Sequence, residues 1–266
     1  MKWMRGKCNG YTYLCLSYSP VHKALSGGEW PPAADALDII KQNPKVCSGF
    51  LVTAGAYRLF FKAFPLRGLP GTFKRWTGLD RAMKNWLISW RLRHHNVSVP
   101  RPHALIMGGK TSWYVCAAME GTISLQSAIQ ETDMVDENVA ILCMRAIKQL
   151  ARMHDAGVTH GDFKWGNLLV MPKGDIVITD LDSARRRLIT GRVAMASDLA
   201  RFLVSGMEAG LNPAWAHSMI LHYAAERGMN ATDMTARISS RVSQISRGHQ
   251  RKYGRKSVCL YSRNRE

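Results

Sequence analysis

The tightest constraint on this chain is the run His160-Gly161-Asp162-Phe163-Lys164-Trp165-Gly166-Asn167, followed by Leu168-Leu169-Val170. A turn at Pro172-Lys173-Gly174 leads to a second apolar stretch, Ile176-Val177-Ile178, which ends in Thr179-Asp180-Leu181-Asp182. The pattern reads as a polar loop, a strand, a tight turn, a second strand and a carboxylate at its end. A hairpin of that kind brings Asp180 alongside the loop that carries Asp162 and Asn167. Upstream, Val139, Cys143, Ala146, Leu150 and Met153 recur at spacings of three and four, the apolar stripe of one long helix over 133–156. Thr132 or Asp133 caps its start, Asp136 and Glu137 lie in its first turn, and Gly157 stands at its C′ position. The helix delivers the chain into the loop.

H-x-D-x4-N, a hairpin and a second Asp is how a kinase fold assembles a phosphoryl-transfer site. That chemistry asks little covalent work of the protein. It needs a hydroxyl held in line and positive charge where negative charge develops. Asp162 is placed to orient the acceptor hydroxyl, and Lys164 to reach the transferring phosphoryl. Asn167 offers an amide oxygen and Asp180 a carboxylate, a ligand pair that suits Mg²⁺ bound together with ATP. Asp182 is a further carboxylate beside that pair.

The chain is basic: 37 Lys and Arg against 19 Asp and Glu give a formal charge of +18. Such a field draws polyanions, whether nucleic acid, an anionic membrane surface or a phosphorylated glycolipid. The six cysteines form no C-x-x-C pair, which weakens zinc and thiol-redox readings and fits a reducing compartment. The first residues carry Lys2 and Arg5 but no continuous apolar core, so a signal peptide is not expected. No run approaches the roughly 20 apolar residues that span a bilayer.

In chain order, residues 1–43 read as an extension punctuated by Gly27-Gly28 and Pro31-Pro32, with a short helix from Ala33 to Lys41. Strands are expected at Phe50–Val52 and Tyr57–Phe61 around a turn at Thr53–Ala56. A basic loop from Pro65 to Gly78 and a helix from Asp80 to His94 follow. Ala104–Met107 and Trp113–Ala118 form a hairpin about Gly108-Gly109. Beyond Asp182, helices are expected from Ala196, over Asn212–Gly228, and over Thr232–Ser246. The arginines Arg185, Arg186 and Arg187 lie just past the second Asp, where bidentate contacts would suit substrate phosphates.

The motif resembles the lipopolysaccharide kinase family, Kdo and heptose kinases of the bacterial inner core, in HGD-x-K-x-x-N followed by D-L-D. It is also similar to the aminoglycoside phosphotransferase and choline kinase group, which shares HGD-x4-N. Eukaryotic protein kinases usually carry Arg where Gly161 stands and DFG where Asp180-Leu181-Asp182 stands. The resemblance implies that Lys62, at a strand end, pairs with the nucleotide's α- and β-phosphates, and that backbone groups of Ala118 and Met119 bond adenine. It implies that His160 braces the loop and that Asp198 accepts hydrogen bonds from the loop backbone. The family usually places a Glu opposite the strand lysine; Asn85 stands there. The segment from Asp182 to Asp198 is short, with no A-P-E, which favours a small or lipid acceptor over a polypeptide.

The expected fold is α+β, a protein-kinase-like bilobal fold with a small β-rich N-lobe and a mostly helical C-lobe. The expected divisions are an extension at 1–43, an N-lobe at 44–118, a C-lobe at 119–246 and a basic, poorly ordered tail at 247–266. The expected activity is ATP- and Mg²⁺-dependent phosphorylation of an inner-core sugar hydroxyl by a monomer on the cytoplasmic face of the inner membrane. An anionic glycolipid is the expected partner and a specific nucleic acid is not. The alternatives are an aminoglycoside or choline-kinase-like phosphotransferase, and an inactive kinase fold that binds membrane or polyanion.

Overall fold

A computed structural model describes residues 2–52, 58–66, 80–130, 137–187, 191–255 and 257–260. The turn read at Thr53–Ala56, most of the basic loop before Gly78, and the helix caps read at Thr132 and Asp133 lie outside them. The chain divides into a unit of residues 1–91 and 100–120 and a unit of 92–99 and 121–266. The first is β-rich and the second mostly helical, an α+β, protein-kinase-like bilobal fold.

In the first unit, β1 (Trp3–Cys8), β2 (Tyr11–Leu16), α1 (Pro20–Ser26), β3 (Leu37–Asn43), β4 (Val46–Val52), β5 (Arg58–Pro65), α2 (Arg81–His94), β6 (Pro102–Gly108) and β7 (Thr111–Ala117) follow in order. The strands form one antiparallel sheet in the order β1-β2-β6-β7-β5-β4-β3. The first 43 residues thus supply both edges of the sheet. β1 and β2 turn at Asn9-Gly10, both at positive φ (46° and 79°). That is the mirror-image turn whose twist matches paired strands, and the Asn-Gly dipeptide is its sequence mark.

The helix expected at Ala33–Lys41 is instead a 3₁₀ turn followed by strand β3. Ile39 and Ile40 favour extended backbone, and β4 supplies the hydrogen bonds that a lone segment lacks. One face of the sheet is closed by Val21 and Leu25 of α1 and by Trp30, whose ring meets Trp113 at 5.2 Å. On the other face α2 packs Ala82 and Trp86 against Phe64, Tyr114 and Cys116. Asp80 starts α2: its carboxylate takes the Met83 N–H (3.1 Å) and the Ser112 hydroxyl (2.6 Å).

In the second unit, β8 (Ile123–Ser124), α3 (Leu125–Gln130), α4 (Glu137–Asp155), β9 (Val158–Thr159), β10 (Leu168–Val170), β11 (Ile176–Ile178), β12 (Arg185–Arg186), α5 (Arg192–Glu208), α6 (Pro213–Glu226) and α7 (Ala231–Tyr253) follow. α4 buries Val139, Cys143, Ala146, Ile147, Leu150 and Met153. Asn212 and Asn230 cap α6 and α7, accepting from the Trp215 N–H (2.8 Å) and the Asp233 N–H (3.0 Å). α7 runs seven residues past the expected end at Ser246. Gly254 then turns the chain back, the Val258 N–H reaches the Ser246 hydroxyl (2.8 Å), and Leu260 is buried. Among the described residues of the segment read as a loose basic tail, the helix continues to Tyr253 and Ser246 on α7 holds Val258.

Leu25→Ala tests whether the N-terminal segment belongs to the core of the first unit. Leu25 is 1% exposed. Its truncation is expected to cost about 2–4 kcal/mol of stability in urea denaturation.

Candidate active site

The loop alternates sides because its sequence does. Asp162 and Lys164 reach solvent, while Phe163 and Trp165 are buried beneath them. Phe163 lies 5.6 Å from the His160 ring and 5.9 Å from Phe202 on α5. Trp165 meets Phe202 and Trp215 at 5.9 Å each. This aromatic floor is contributed by the loop, α5 and α6.

Asp198, on α5 and 1% exposed, holds the loop from inside. Its oxygens accept the backbone N–H of His160 (2.7 Å) and of Gly161 (2.8 Å). The Nε2 of His154 lies 3.3 Å from the same carboxylate, and its Nδ1 lies 2.6 Å from the Tyr223 hydroxyl. His160 Nε2 donates to the Thr179 carbonyl (3.0 Å) and its Nδ1 accepts the Asp162 N–H (3.2 Å). The two contacts together define a neutral imidazole. Burial holds both histidines below their ordinary value of 6.5, against the pull of Asp198. Burial pushes the Asp198 carboxyl up, and the hydrogen bonds from His154 and the His160 N–H bring it below its ordinary value.

Asn167 ties the loop to its own start. Its Nδ2 donates to the Asp162 carbonyl (2.8 Å) and to Asp162 Oδ2 (3.0 Å). Lys164 Nζ sits 3.0 Å from that same Oδ2. With one oxygen held by two donors, Asp162 Oδ1 is the oxygen left for an incoming hydroxyl, and the Asn167 amide keeps Oδ1 as an acceptor. The Thr179 N–H and hydroxyl both bond the Asn167 carbonyl, at 2.9 and 3.0 Å. Asp180 is the next residue, exposed and in the left-handed region at φ 56°, a conformation costly for a non-glycine residue and met at functional sites. Among the described residues no group of three or more His, Cys, Asp or Glu could hold a metal ion. One amide oxygen and one carboxylate fit Mg²⁺, which takes its remaining ligands from phosphates and water.

Asp162, Lys164, Trp165 and Gly166 also line a cavity of about 840 Å³ within the second unit. Its other walls include Gln126 and Gln130 of α3, Arg201 and Glu208 of α5, and His249, Tyr253 and Arg255. Glu208 is gripped by His249 Nδ1 (2.7 Å) and Arg255 (2.5 Å). These residues lie far along the chain from the motif, and no local pattern marks them. Arg185 and Arg187 line a separate cavity of about 350 Å³ with Arg201, while Arg186 is exposed on the same strand. β12 pairs with β9, so Arg185 sits opposite Thr159.

In the first unit, Lys62 lies on β5 opposite Ser48 and Tyr114, on the sheet face that α2 covers. Burial raises the nearby Cys116 thiol to about 12, against the Lys62 charge, which lowers it. Asn85 is 1% exposed on α2 and its amide donates to the Arg81 carbonyl (2.9 Å). Ala118 and Met119 follow β7 directly, and the Ala118 N–H donates to the Arg58 carbonyl (3.3 Å).

Gly161 has φ +80°, and a Cβ there would stand 2.8 Å from the Ser183 carbonyl oxygen. Gly161→Ala is therefore expected to cost about 1–3 kcal/mol of stability and to displace the loop, read as a lowered melting temperature together with lost turnover. The buried histidines set an acid limb. Below 6.5 the unfolded chain binds protons on these rings that the folded chain refuses, so stability falls as pH drops from there. Asp198's own contribution is complete above its ordinary 3.8 and is lost only as pH falls through its depressed folded value. Unfolding free energies from urea denaturation are expected to decline from neutral pH to about pH 5, by up to about 1.4 kcal/mol per pH unit for each ring. His154→Gln is expected to flatten that decline.

The chain matches the model of the lipopolysaccharide kinase (Kdo/WaaP) family over residues 72–223, more than half of its length. It is 29% identical over 96 residues to serine/threonine-protein kinase PAK 5 of Rattus norvegicus, a stretch that is 36% of this chain and 13% of that protein. With serine/threonine-protein kinase PAK 4 of Mus musculus it shares 31% over 88 residues, 33% of this chain and 14% of that protein. With serine/threonine-protein kinase CST20 of Candida albicans it shares 34% over 68 residues, 26% of this chain and 6% of that protein. These relatives are matched over only a small part of their length, in keeping with a shared protein-kinase-like superfamily. By the match that covers most of it, the chain belongs to the lipopolysaccharide kinase (Kdo/WaaP) family.

Proposed function

We propose that this protein moves the γ-phosphoryl group of ATP onto a hydroxyl of a lipopolysaccharide inner-core sugar, Kdo or heptose. The single observation that carries the reading is the cavity of about 840 Å³ that opens on Asp162 and Lys164. Its volume lies within the range of small-molecule sites. Its cations are Lys164, Arg201, His249 when protonated, and Arg255; its carboxylates are Asp162 and Glu208, and Glu208 is already engaged by His249 and Arg255. A cationic aminoglycoside would call for free acids there. An acceptor carrying phosphate or carboxylate groups suits this lining better.

In this reading Asp162 Oδ1 takes the proton of the acceptor hydroxyl as its oxygen bonds to the γ-phosphorus, and the bond from that phosphorus to the β,γ-bridging oxygen breaks to release ADP. Asn167 and Lys164 hold the other carboxylate oxygen, so the base keeps one orientation. Lys164, which lines the same cavity, is assigned to offset the charge on the transferring phosphoryl group. Asn167 and Asp180 would hold Mg²⁺, which when bound neutralises phosphate charge and fixes the phosphates in place. Lys62, Ala118 and Met119 are assigned to the nucleotide. Arg185 and Arg187, with Arg186 beside them, are assigned to anionic groups of the substrate. His160 and Asp198 position the loop and touch no reactant.

Among the described residues no helix is long and apolar enough to cross a membrane. This reading assigns the protein to peripheral attachment at the cytoplasmic face of the inner membrane, where its glycolipid acceptor would be presented. Asp180→Asn is expected to leave the circular dichroism spectrum unchanged and to lower transfer from γ-labelled ATP by about a thousandfold or more. Wild-type turnover in that variant would overturn the metal assignment. Dephosphorylated rough lipopolysaccharide, an aminoglycoside mixture and a basic protein, offered in parallel, test the acceptor: label is expected in the glycolipid alone.

A further inference from the structure

The short helix α3 has little freedom to turn about its axis. Its first residue follows Ser124, whose hydroxyl accepts the Ser127 N–H (3.0 Å) and lies 2.8 Å from the Ser127 hydroxyl. Ser124 belongs to β8, which pairs with β10 directly after the catalytic loop, with Ser124 opposite Leu169. Leu125 and Ile129 are buried, at 0% and 1% exposure. With those two inward, Gln126 and Gln130 come to the flank of the helix, one turn apart and about 100° round from them. Both residues are exposed, and both line the cavity that opens on Asp162 and Lys164. Gln126 lies over the loop itself: its Oε1 stands 3.5 Å from where a Cβ on Gly166 would be. A group bound to Gln126 therefore sits over the same turn of chain that carries Asp162 and Lys164.

Much of the cavity's other polar chemistry is engaged within the protein. The Ser205 hydroxyl donates to the Arg201 carbonyl (3.0 Å) and accepts the Trp165 N–H (3.5 Å). Glu208 is held by His249 and Arg255, and one oxygen of Asp162 by Asn167 and Lys164. Among the described residues, no hydrogen bond joins either glutamine carboxamide to another group. Each brings two N–H donors and an oxygen with two lone pairs. A sugar hydroxyl both donates and accepts, so it matches either end of a carboxamide. A quaternary ammonium does neither. An ammonium group only donates, and here it would also meet Lys164 and Arg201.

We infer that Gln126 and Gln130 select the acceptor by holding the hydroxyls that flank the one phosphorylated, so that the acceptor is a sugar ring left unsubstituted beside its reacting position. The inference rests on the sugar-kinase reading above and deepens it. Side chains one turn apart on a helix start about 5–6 Å from each other, a spacing that suits two hydroxyls of a single ring. A site built from hydrogen bonds discriminates by what it leaves unpaired. An acceptor that lacks the flanking hydroxyl, or carries a substituent on it, strands the carboxamide against the ring and forfeits the bond. The signal is absent from the catalytic motif because α3 lies some thirty residues upstream of it.

The test is steady-state transfer from γ-labelled ATP to the methyl glycosides of Kdo and heptose, with calorimetric binding of the same glycosides to the full chain. Gln126→Leu and Gln130→Leu are each expected to raise KM for the sugar about threefold to tenfold, and the double variant about tenfold or more. KM for ATP is expected to stay as it is. A glycoside deoxygenated beside the labelled hydroxyl is expected to lose the same factor with the wild-type chain. The variant that lacks the matching carboxamide is expected to lose nothing further on it. An unchanged KM for the sugar in the double variant overturns the proposal. So does an equal rise in KM for ATP, or undiminished transfer to every deoxygenated glycoside. Calorimetry separates the proposal from the function. Glycoside binding that weakens in the double variant, in a chain that transfers no label, overturns the function and keeps the selection. Transfer with an unaltered sugar KM in the double variant does the opposite, and the absence of both binding and transfer overturns both.

Discussion

The buried carboxylate of Asp198 accepts two backbone N–H groups, from His160 and Gly161, that no helix or strand supplies with partners. Leaving either unpaired inside the protein would cost on the order of 1–3 kcal/mol, and leaving the carboxylate unpaired considerably more. The charge and the loop therefore stand together. His154 adds a third contact and is itself fixed by Tyr223, so α4, α5 and α6 all converge on one ion. The position of Asp162 follows from this, because its own N–H is taken by His160.

The loop is held from below by packing as well as by hydrogen bonds. Phe163 and Trp165 lie on Phe202 and Trp215, and Gly206 leaves the space that these rings fill: a Cβ there would fall 2.4 Å from Trp215 and 2.8 Å from Trp165. Closely packed aromatic rings resist displacement better than a single long side chain does. With a rigid floor beneath and a charged centre behind, Asp162 and Lys164 turn toward solvent while Asn167 stays buried and bonded to Asp162. Catalysis by positioning requires that division of labour.

Charge is distributed according to the same logic. Acids near the loop are consumed: Asp198 by backbone, Glu208 by His249 and Arg255, and one oxygen of Asp162 by Lys164 and Asn167. The excess of basic residues is left to surfaces and cavity walls, where it attracts anions without competing for the carboxylates that organise the site.

The sequence by itself determined the loop, its hairpin and the helix that feeds it, because these are short-range patterns. The alternation of Asp162, Phe163, Lys164 and Trp165 states which residues face inward, and the stripe from Val139 to Met153 states a helix. The kinase-like fold was legible for the same reason. The Asn9-Gly10 hairpin was equally local and open to the same reading. Only the tertiary structure decided that Leu37–Asn43 is a strand, since a neighbouring strand completes its hydrogen bonds. Only it decided that residues beyond Ser246 turn back to wall the cavity beside Asp162. Glu208, His249 and Arg255 are separated by some forty residues of chain. A contact across that distance depends on how helices pack, which no spacing of residues along the chain records.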